Sequence, residues 1–500
     1  MSRWLAAALV AASLPQLAWA SKAGRCAEIS AALADVLTEI ECFESADLTT
    51  NGPLTTPGDN TLAGVPAGAF TPTTDRGVIS PAGADRTPIV KVVPGIQLEA
   101  RLAGDPEARF LLRLPDGWNG RLVVAGASGT RSEFNGDFAW SDYVVQKGYA
   151  YASQNKGIFN LRVTNAADPL ACRFNPDVPI EVLAIHFFVN DPGNAFSEWQ
   201  ERVVEAARLA REGVRARYGH APRRTYAVGT SNGGYQVRRA VEEAPELFDG
   251  GVDWEGTFVE PGEHNLLVQL PAAIRHYPDY RASDFDPDSA AAHAIRAAGY
   301  PPDIVIRDAA GAVTASLWRN HWNQFWEVTQ CQWQKRLDPG YDTYVSGTGN
   351  YDYFARAATT DVDEGLRAFE TTGKIKRPLV TVGGTLDALL PTVHHARAYA
   401  AKVAASRKGN DARRHAQHRL YEVQNGNHIE TYKAVAPGAP NTFPQLEYVQ
   451  PHAQRAFDLL VAHVEEGAPL PPDQCVPRGG AIAATPAPGQ RGTCKELLVE

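Results

Sequence analysis

Thr225-Tyr226-Ala227-Val228-Gly229-Thr230-Ser231-Asn232-Gly233-Gly234-Tyr235 reads as a short apolar strand, a glycine-flanked serine turn and the opening of a helix. The strand is Thr225 to Val228, and the helix runs from Tyr235 to Ala244. A G-x-S-x-G motif between a strand and a helix is a nucleophile elbow. The turn is so tight that the residues two before and two after the serine must lack bulk. Its strain leaves the hydroxyl projecting above the sheet edge at a helix N-terminus.

A serine hydroxyl is a weak nucleophile until a histidine takes its proton, and that histidine must be oriented by a carboxylate. In chains built on this turn the order is serine, acid, histidine. Downstream, the strand Leu379 to Val382 runs into Gly383-Gly384-Thr385-Leu386-Asp387, and the strand His418 to Val423 runs into Gln424-Asn425-Gly426-Asn427-His428. Ser231, Asp387 and His428 can therefore meet at the carboxyl ends of neighbouring strands. Asp253 and Glu255, after the preceding strand Gly250 to Asp253, compete for the acid's role. Acyl transfer also needs donors for the developing oxyanion. The backbone N–H of Asn232 is the first, and the turn Gly126-Ala127-Ser128-Gly129 supplies the second through Ala127 or Ser128.

Around these motifs the pattern alternates. Strands are expected at Ile89 to Val93, Phe110 to Leu114, Arg121 to Ala125 and Tyr149 to Ser153. Helices are expected at Cys26 to Cys42, Ser197 to Tyr218, Val393 to Ala405 and Gln445 to His463. Repeated strand-helix units imply an α/β fold, a mostly parallel sheet with helices on both faces. Between Trp254 and about Gly365 the alternation stops and aromatics accumulate, among them Tyr277, Tyr300, Trp318, Trp322, Trp326 and Trp333. Residues 254–365 thus read as a lid or cap inserted into a core of residues 21–253 and 366–466. A Pro- and Gly-rich tail follows at 467–500.

The 500 residues, 44% hydrophobic and 21% charged, with 43 Gly and 35 Pro spread aperiodically, exclude disordered and collagen-like chains. A net charge of -9 without a basic stripe argues against nucleic acid as a partner. Arg3, the apolar run Leu5 to Pro15 and Ala18-Trp19-Ala20 form a signal peptide cut after Ala20. A secreted or periplasmic protein without stable membrane insertion is expected. The six cysteines, Cys26, Cys42, Cys172, Cys331, Cys475 and Cys494, then suit disulfides better than metal. Nearness in sequence suggests Cys26 with Cys42 and Cys475 with Cys494, leaving Cys172 for Cys331.

At these residues the chain resembles the α/β-hydrolase superfamily. The run Leu114-Pro115-Asp116-Gly117-Trp118-Asn119-Gly120-Arg121, the segment Gly148 to Ser153, the Ser-x-Gly-Gly elbow and the insertion before the acid are similar to the secreted tannase and feruloyl esterase-like group. That group carries cysteines before its nucleophile and after its histidine, joined by a disulfide. Thr230 and Ile429 stand there instead. The elbow and the aromatic cap also resemble 3-hydroxybutyrate oligomer hydrolases. The resemblance implies a serine esterase, acylated on Ser231, that needs no cofactor. The cap's aromatics point to bulky or aromatic, feruloyl- or tannin-like esters as small-molecule substrates, with aliphatic oligoesters as the alternative. A peptidase or amidase with the same triad, and a non-catalytic binding protein on this scaffold, are the other readings. Asp284, Asp286 and Asp288 alternate as in part of a calcium loop but lack its glycine and distal glutamate, so no metal is expected. His394-His395 lies near the acid as a structural or substrate-contacting pair.

Overall fold

The computed structural model describes residues 22–52, 80–81, 85–129, 131–157, 162–186, 197–406, 417–433 and 443–500. The expected signal peptide at 1–20 lies outside them.

Helix α1 (Lys22–Leu33) leads into strand β1 (Leu37–Ser45), followed by β2 (Gly95–Leu102), β3 (Asp105–Pro115), β4 (Arg121–Gly126) and β5 (Ala150–Gln154). The short strands β6 (Arg162–Thr164), β7 (Cys172–Arg173) and β8 (Ala184–His186) form a small separate sheet. Next come α2 (Ser197–Tyr218), β9 (Arg224–Thr230), α3 (Asn232–Glu243) and β10 (Gly250–Trp254). Beyond them lie α4 (Leu266–Ala282), α5 (Ala290–Ala297), the hairpin β11 (Val305–Arg307) and β12 (Val313–Ser316), and α6 (Glu327–Leu337). The chain then returns through β13 (Leu379–Gly384), α7 (Ala396–Ser406), β14 (His418–Val423), α8 (Gln450–Glu466) and β15 (Gln474–Val476).

Among the described residues the main sheet has ten strands in the order β1-β2-β3-β5-β4-β9-β10-β13-β14-β15. Every pair from β5 to β15 is parallel, and β1, β2 and β3 extend it antiparallel. This is an α/β fold of the kind the alternation implied. Both faces of the parallel strands are covered, so their side chains alternate between two cores. In β4, Leu122 and Val124 join α1, α2, α3 and α7 on one face. Val123 and Ala125 join Phe457 and Leu460 of α8 on the other.

Two expected elements differ. The helix foreseen from Cys26 to Cys42 ends at Leu33, and Leu37 opens an edge strand paired with β2 through a bulge between Thr38 and Glu41. Val36, Leu37 and Ile40 fit helical spacing, but sheet pairing outweighs that local pattern. The strand foreseen at Ile89 to Val93 forms instead at Gly95–Leu102. Val90 and Val92 are 81% and 66% exposed and Val93 alone of these valines is buried, so this β-branched run offers too little core face to form a strand.

Since β10 and β13 are neighbours in the sheet, everything from Glu255 to Pro378 lies outside it. Most aromatics of this segment gather in one apolar cluster, which Trp199 of α2 and Tyr235 of α3 join. Tyr277 stacks on Trp322 at 4.8 Å, Tyr280 meets Trp318 at 5.0 Å, and Trp318 and Trp326 are wholly buried. The residues beyond Gly467, read as a tail, supply β15 at the sheet edge.

Three disulfides join Cys26 to Cys42, Cys172 to Cys331 and Cys475 to Cys494. The second ties β7 to α6 across a sequence separation of 159 residues. Cross-linking so long a loop restricts the unfolded chain, so replacing Cys172 and Cys331 with serine is expected to lower stability by about 2–4 kcal/mol. A denaturant titration of the double variant beside the parent checks this, and coincident midpoints would refute it.

Candidate active site

Ser231 sits between β9 and α3 with φ 59° and ψ -124°, a conformation a non-glycine residue adopts only when its surroundings enforce it. They do so by close approach of backbone. A Cβ on Gly229 would stand 2.3 Å from the Gly233 carbonyl oxygen, and one on Gly233 would stand 2.5 Å from that of Gly126. Strand β4, the turn and the first turn of α3 therefore interlock only with glycine at these places. The Ser231 N–H donates to Trp254 O (2.9 Å), tying the elbow to β10. Asn232 occupies the first position of α3, and its side-chain oxygen accepts from Thr257 Oγ1 (2.7 Å).

Asp387 and His428 follow β13 and β14, strands in register from Leu379↔His418 to Gly384↔Val423. The loops after them are joined: Leu386 N donates to Gly426 O (2.7 Å), Thr385 N to Val423 O (3.0 Å), and Asn425 N to Thr385 Oγ1 (2.9 Å). The far C-terminus braces them, since Asn425 Oδ1 accepts from Val499 N (2.8 Å) and Thr385 Oγ1 donates to Leu497 O. His428 Nδ1 then lies 2.8 Å from Asp387 Oδ2. Asp387 Oδ1 accepts the backbone N–H groups of Leu389 (2.9 Å) and Leu390 (2.7 Å), which fixes the carboxylate. With Asp387 taking the Nδ1 proton, Nε2 carries the imidazole lone pair. Ser231, Asp387 and His428 are 6%, 1% and 2% exposed. No hydrogen bond joins Ser231 Oγ to His428 in this structure. Such bonds tighten when substrate binds.

Of the competing acids, Asp253 is engaged elsewhere. Its Oδ2 accepts from Arg238 Nε (2.6 Å) and Thr381 Oγ1 (2.9 Å), its Oδ1 from Gly256 N (2.7 Å). Glu255 is at the site, with Oε2 3.7 Å from His428 Nδ1. Glu255, Asp387 and His428 are close enough to hold a metal ion. However, His428 Nδ1 and Asp387 Oδ2 are 2.8 Å apart, the span of a direct hydrogen bond, so the set as it stands shares a proton rather than an ion.

Both alternatives for the second oxyanion donor have protein partners. The Ala127 N–H donates to Gln236 Oε1 (3.0 Å), and the Ser128 N–H makes a longer bond to Asn135 Oδ1 (3.3 Å). Sequence reasoning missed the group that shapes this turn. Buried Lys156 donates from Nζ to Ala127 O (2.8 Å) and Ser128 O (3.2 Å). It fixes both carbonyls of the turn, and no motif marks it.

Of the weaker candidates, Asp284 pairs with Arg307 (2.7 Å), and Asp286 Oδ1 accepts from Asp288 N (2.9 Å) as an exposed turn. His394 Nε2 donates to Ala298 O (2.7 Å). His395 Nδ1 accepts from Phe258 N (2.9 Å), and its Nε2 lies against the side-chain amide of Gln269. Burial pushes the His395 imidazole well below its ordinary value, which keeps it neutral as a brace between α7 and α4.

The 3HB-oligomer hydrolase family matches residues 326–491, a span that holds Asp387 and His428 but not Ser231. A D-(-)-3-hydroxybutyrate oligomer hydrolase of Burkholderia thailandensis is 38% identical over 115 residues, 22% of this chain and 15% of that protein. The one from Burkholderia mallei is 39% identical over 114 residues, with the same shares, 22% and 15%. The chain thus spans a small part of the length of these curated relatives. Among solved structures, an esterase from Aspergillus oryzae aligns at a TM-score of 0.54 over 95% of this chain and 94% of its own, at 13% identity. Feruloyl esterase B from the same fungus aligns at a TM-score of 0.46 over 89% and 91%, at 14% identity. Strand order, elbow and end-to-end likeness to the first of these structures agree: the chain has the α/β-hydrolase fold and, over residues 326–491, is similar to the 3HB-oligomer hydrolases.

Proposed function

We propose that the protein is an exported serine esterase that cleaves carboxylic esters through an acyl-enzyme on Ser231. The carrying observation is the strained serine turn at the end of β9 together with the 2.8 Å His428–Asp387 pair on strands of the same sheet. His428 Nε2 takes the Ser231 proton as Oγ attacks the ester carbonyl, and Asp387 holds the imidazolium that forms. The same nitrogen then protonates the departing alcohol and later deprotonates the water that releases the acid. Asn232 N–H meets the oxyanion first. Ser128 is the better second donor, because its internal bond is longer than that of Ala127. Export rests on the N-terminal signal, supported by three disulfides. No helix among the described residues is long and apolar enough to cross a membrane.

For substrate, short aliphatic hydroxyacid oligoesters are the first choice. The similarity to 3HB-oligomer hydrolases covers the segment that bears the acid and the histidine. The tryptophans that suggested an aromatic acyl pocket are buried, with Trp322 and Trp318 packed against tyrosines of the same cluster. Bulky aromatic esters are the second reading, since half-buried Phe325 packs against both the cap cluster and the one that contains Tyr432, next to the histidine loop. The test is a comparison of kcat/KM on a 3-hydroxybutyrate dimer and trimer with that on methyl ferulate. A preference of at least about 10-fold for the oligomers is expected, the scale that pocket fit supplies. A reversed preference would transfer the assignment to aromatic esters.

A further inference from the structure

The imidazole of His428 has two acids at its Nδ1 edge. Asp387 Oδ2 is 2.8 Å away and Glu255 Oε2 is 3.7 Å away. Glu255 is 3% exposed and directly follows β10, the strand between those that carry Ser231 and Asp387. It is fastened at three points. Its N–H donates to Val382 O (2.8 Å), its Oε1 accepts from Gly384 N (2.9 Å), and its Oε2 accepts from Trp254 Nε1 (3.1 Å). Its φ of 50° is a left-handed conformation that glutamate rarely adopts, so the fold invests strain to place this carboxyl.

Two carboxyls beside one imidazole cannot both be charged cheaply in a buried site. The titratable groups around Glu255 are Asp387, Glu430 and His428, and no lysine or arginine pairs with it among the described residues. Burial first, then the charges of Asp387 and Glu430, hold the Glu255 carboxyl well above the usual carboxylate range. Burial and these neighbouring acids thus favour the neutral form of the Glu255 carboxyl. This fits the bonding, because Asp387 receives two backbone N–H groups on the oxygen that does not face His428 and Glu255 receives only one on its own.

We propose that Glu255 is a second orienting acid of His428, a positioning residue that stands behind Asp387 and takes over the Nδ1–H when the Asp387 carboxylate is removed. The inference rests on the reading of Ser231, His428 and Asp387 as a triad. Without Asp387 the nearest like charge is gone, which makes ionising Glu255 less costly beside the imidazole it faces. Its proton passes to solvent, and the carboxylate closes less than an ångström of surplus distance to accept Nδ1–H at hydrogen-bond range.

The test is the pH profile of kcat and KM for Asp387→Ala, Glu255→Gln and the double variant, beside the parent and Ser231→Ala, on one p-nitrophenyl ester. Asp387→Ala is expected to lose about 10²-fold in kcat, against the roughly 10⁴-fold typical when the only orienting acid is removed. Its rate should rise with pH through an additional ionisation that the parent lacks, and KM should hold. Adding Glu255→Gln should abolish that extra ionisation and cost a further factor of about 10², whereas Glu255→Gln alone should cost less than about 10-fold. If Asp387→Ala fails to fold, Asp387→Ser carries the same comparison, because its short side chain places no amide donor on Nδ1. Equal rates and identical profiles for the Asp387 variant with and without Glu255→Gln would overturn the proposal and leave Glu255 a brace for the Gly384 turn. A fully active Ser231→Ala would instead overturn the triad reading, and this inference with it.

Discussion

Ser231→Ala is expected to lower kcat for ester hydrolysis by about 10⁴- to 10⁶-fold with little change in KM, the scale seen when a serine nucleophile is deleted from a triad. The expectation follows from what the fold invests at that residue. A serine at φ 59° is held by contacts that would be lost if any of the surrounding glycines carried a side chain. Strain of this kind persists where the surrounding structure enforces it, and it clusters at reactive centres. Alanine keeps the backbone, the helix start and the bond from residue 231 N–H to Trp254 O, so the fold should survive and only the nucleophile should go. His428→Ala should fall to the same level, and the double variant no further, because the two act as one unit. Release of p-nitrophenol from a butyrate ester, together with covalent labelling by a fluorophosphonate, reads the effect. Labelling of the alanine variant as fast as the parent, or a rate within about 10-fold of it, would show that another residue is the nucleophile.

The parts of this site legible in the sequence are those with a local signature. The elbow carries its glycines within a few residues, the acid's loop follows the β-branched and aliphatic run Leu379 to Val382, and the histidine's loop follows the mixed run His418 to Val423. The same logic places α2 at Ser197–Tyr218, where apolar spacing, length and last-turn arginines agree. Illegible were features created by pairing at a distance. Residues 37–42 satisfy helical spacing but become part of a strand because β2 offers an edge. Lys156 reaches the carbonyls of Ala127 and Ser128 from the end of β5, a contact that no periodicity encodes. The brace from Leu497 and Val499 to the acid and histidine loops comes from the segment with the least pattern in the chain. Glu255 lies between these cases. It was visible as an acid after a strand, but which oxygen would face His428 depends on a left-handed backbone angle that sequence does not announce.

Asp253 and Glu255 are two residues apart, and opposite consequences are expected from removing them. Asp253 and Arg238 are both wholly buried, joined at 2.6 Å beneath the elbow helix. The aspartate also holds Thr381 Oγ1 and the N–H of Gly256, so it ties α3, β13 and the turn after β10 together. The guanidinium has little else: it lies over the Tyr399 ring at 4.2 Å, and its two terminal nitrogens find no hydrogen-bond acceptor. Removing Asp253 strands a charge in a water-free interior, where solvent cannot replace the lost partner. Asp253→Ala is therefore expected to destabilise the protein by about 3–5 kcal/mol, the cost of breaking a buried pair from one side. That is a large share of the roughly 5–15 kcal/mol that separates folded from unfolded chains. Removing the charge from both sides should be far milder. Arg238→Met with Asp253→Asn leaves an acceptor for Gly256 N and no orphan cation, and it should recover most of the loss. Urea titrations of the parent, the single variant and the double variant decide the matter. If Asp253→Ala unfolds within about 1 kcal/mol of the parent, the pair is not what anchors α3 under the elbow, and the serine turn owes its geometry to the glycine contacts alone.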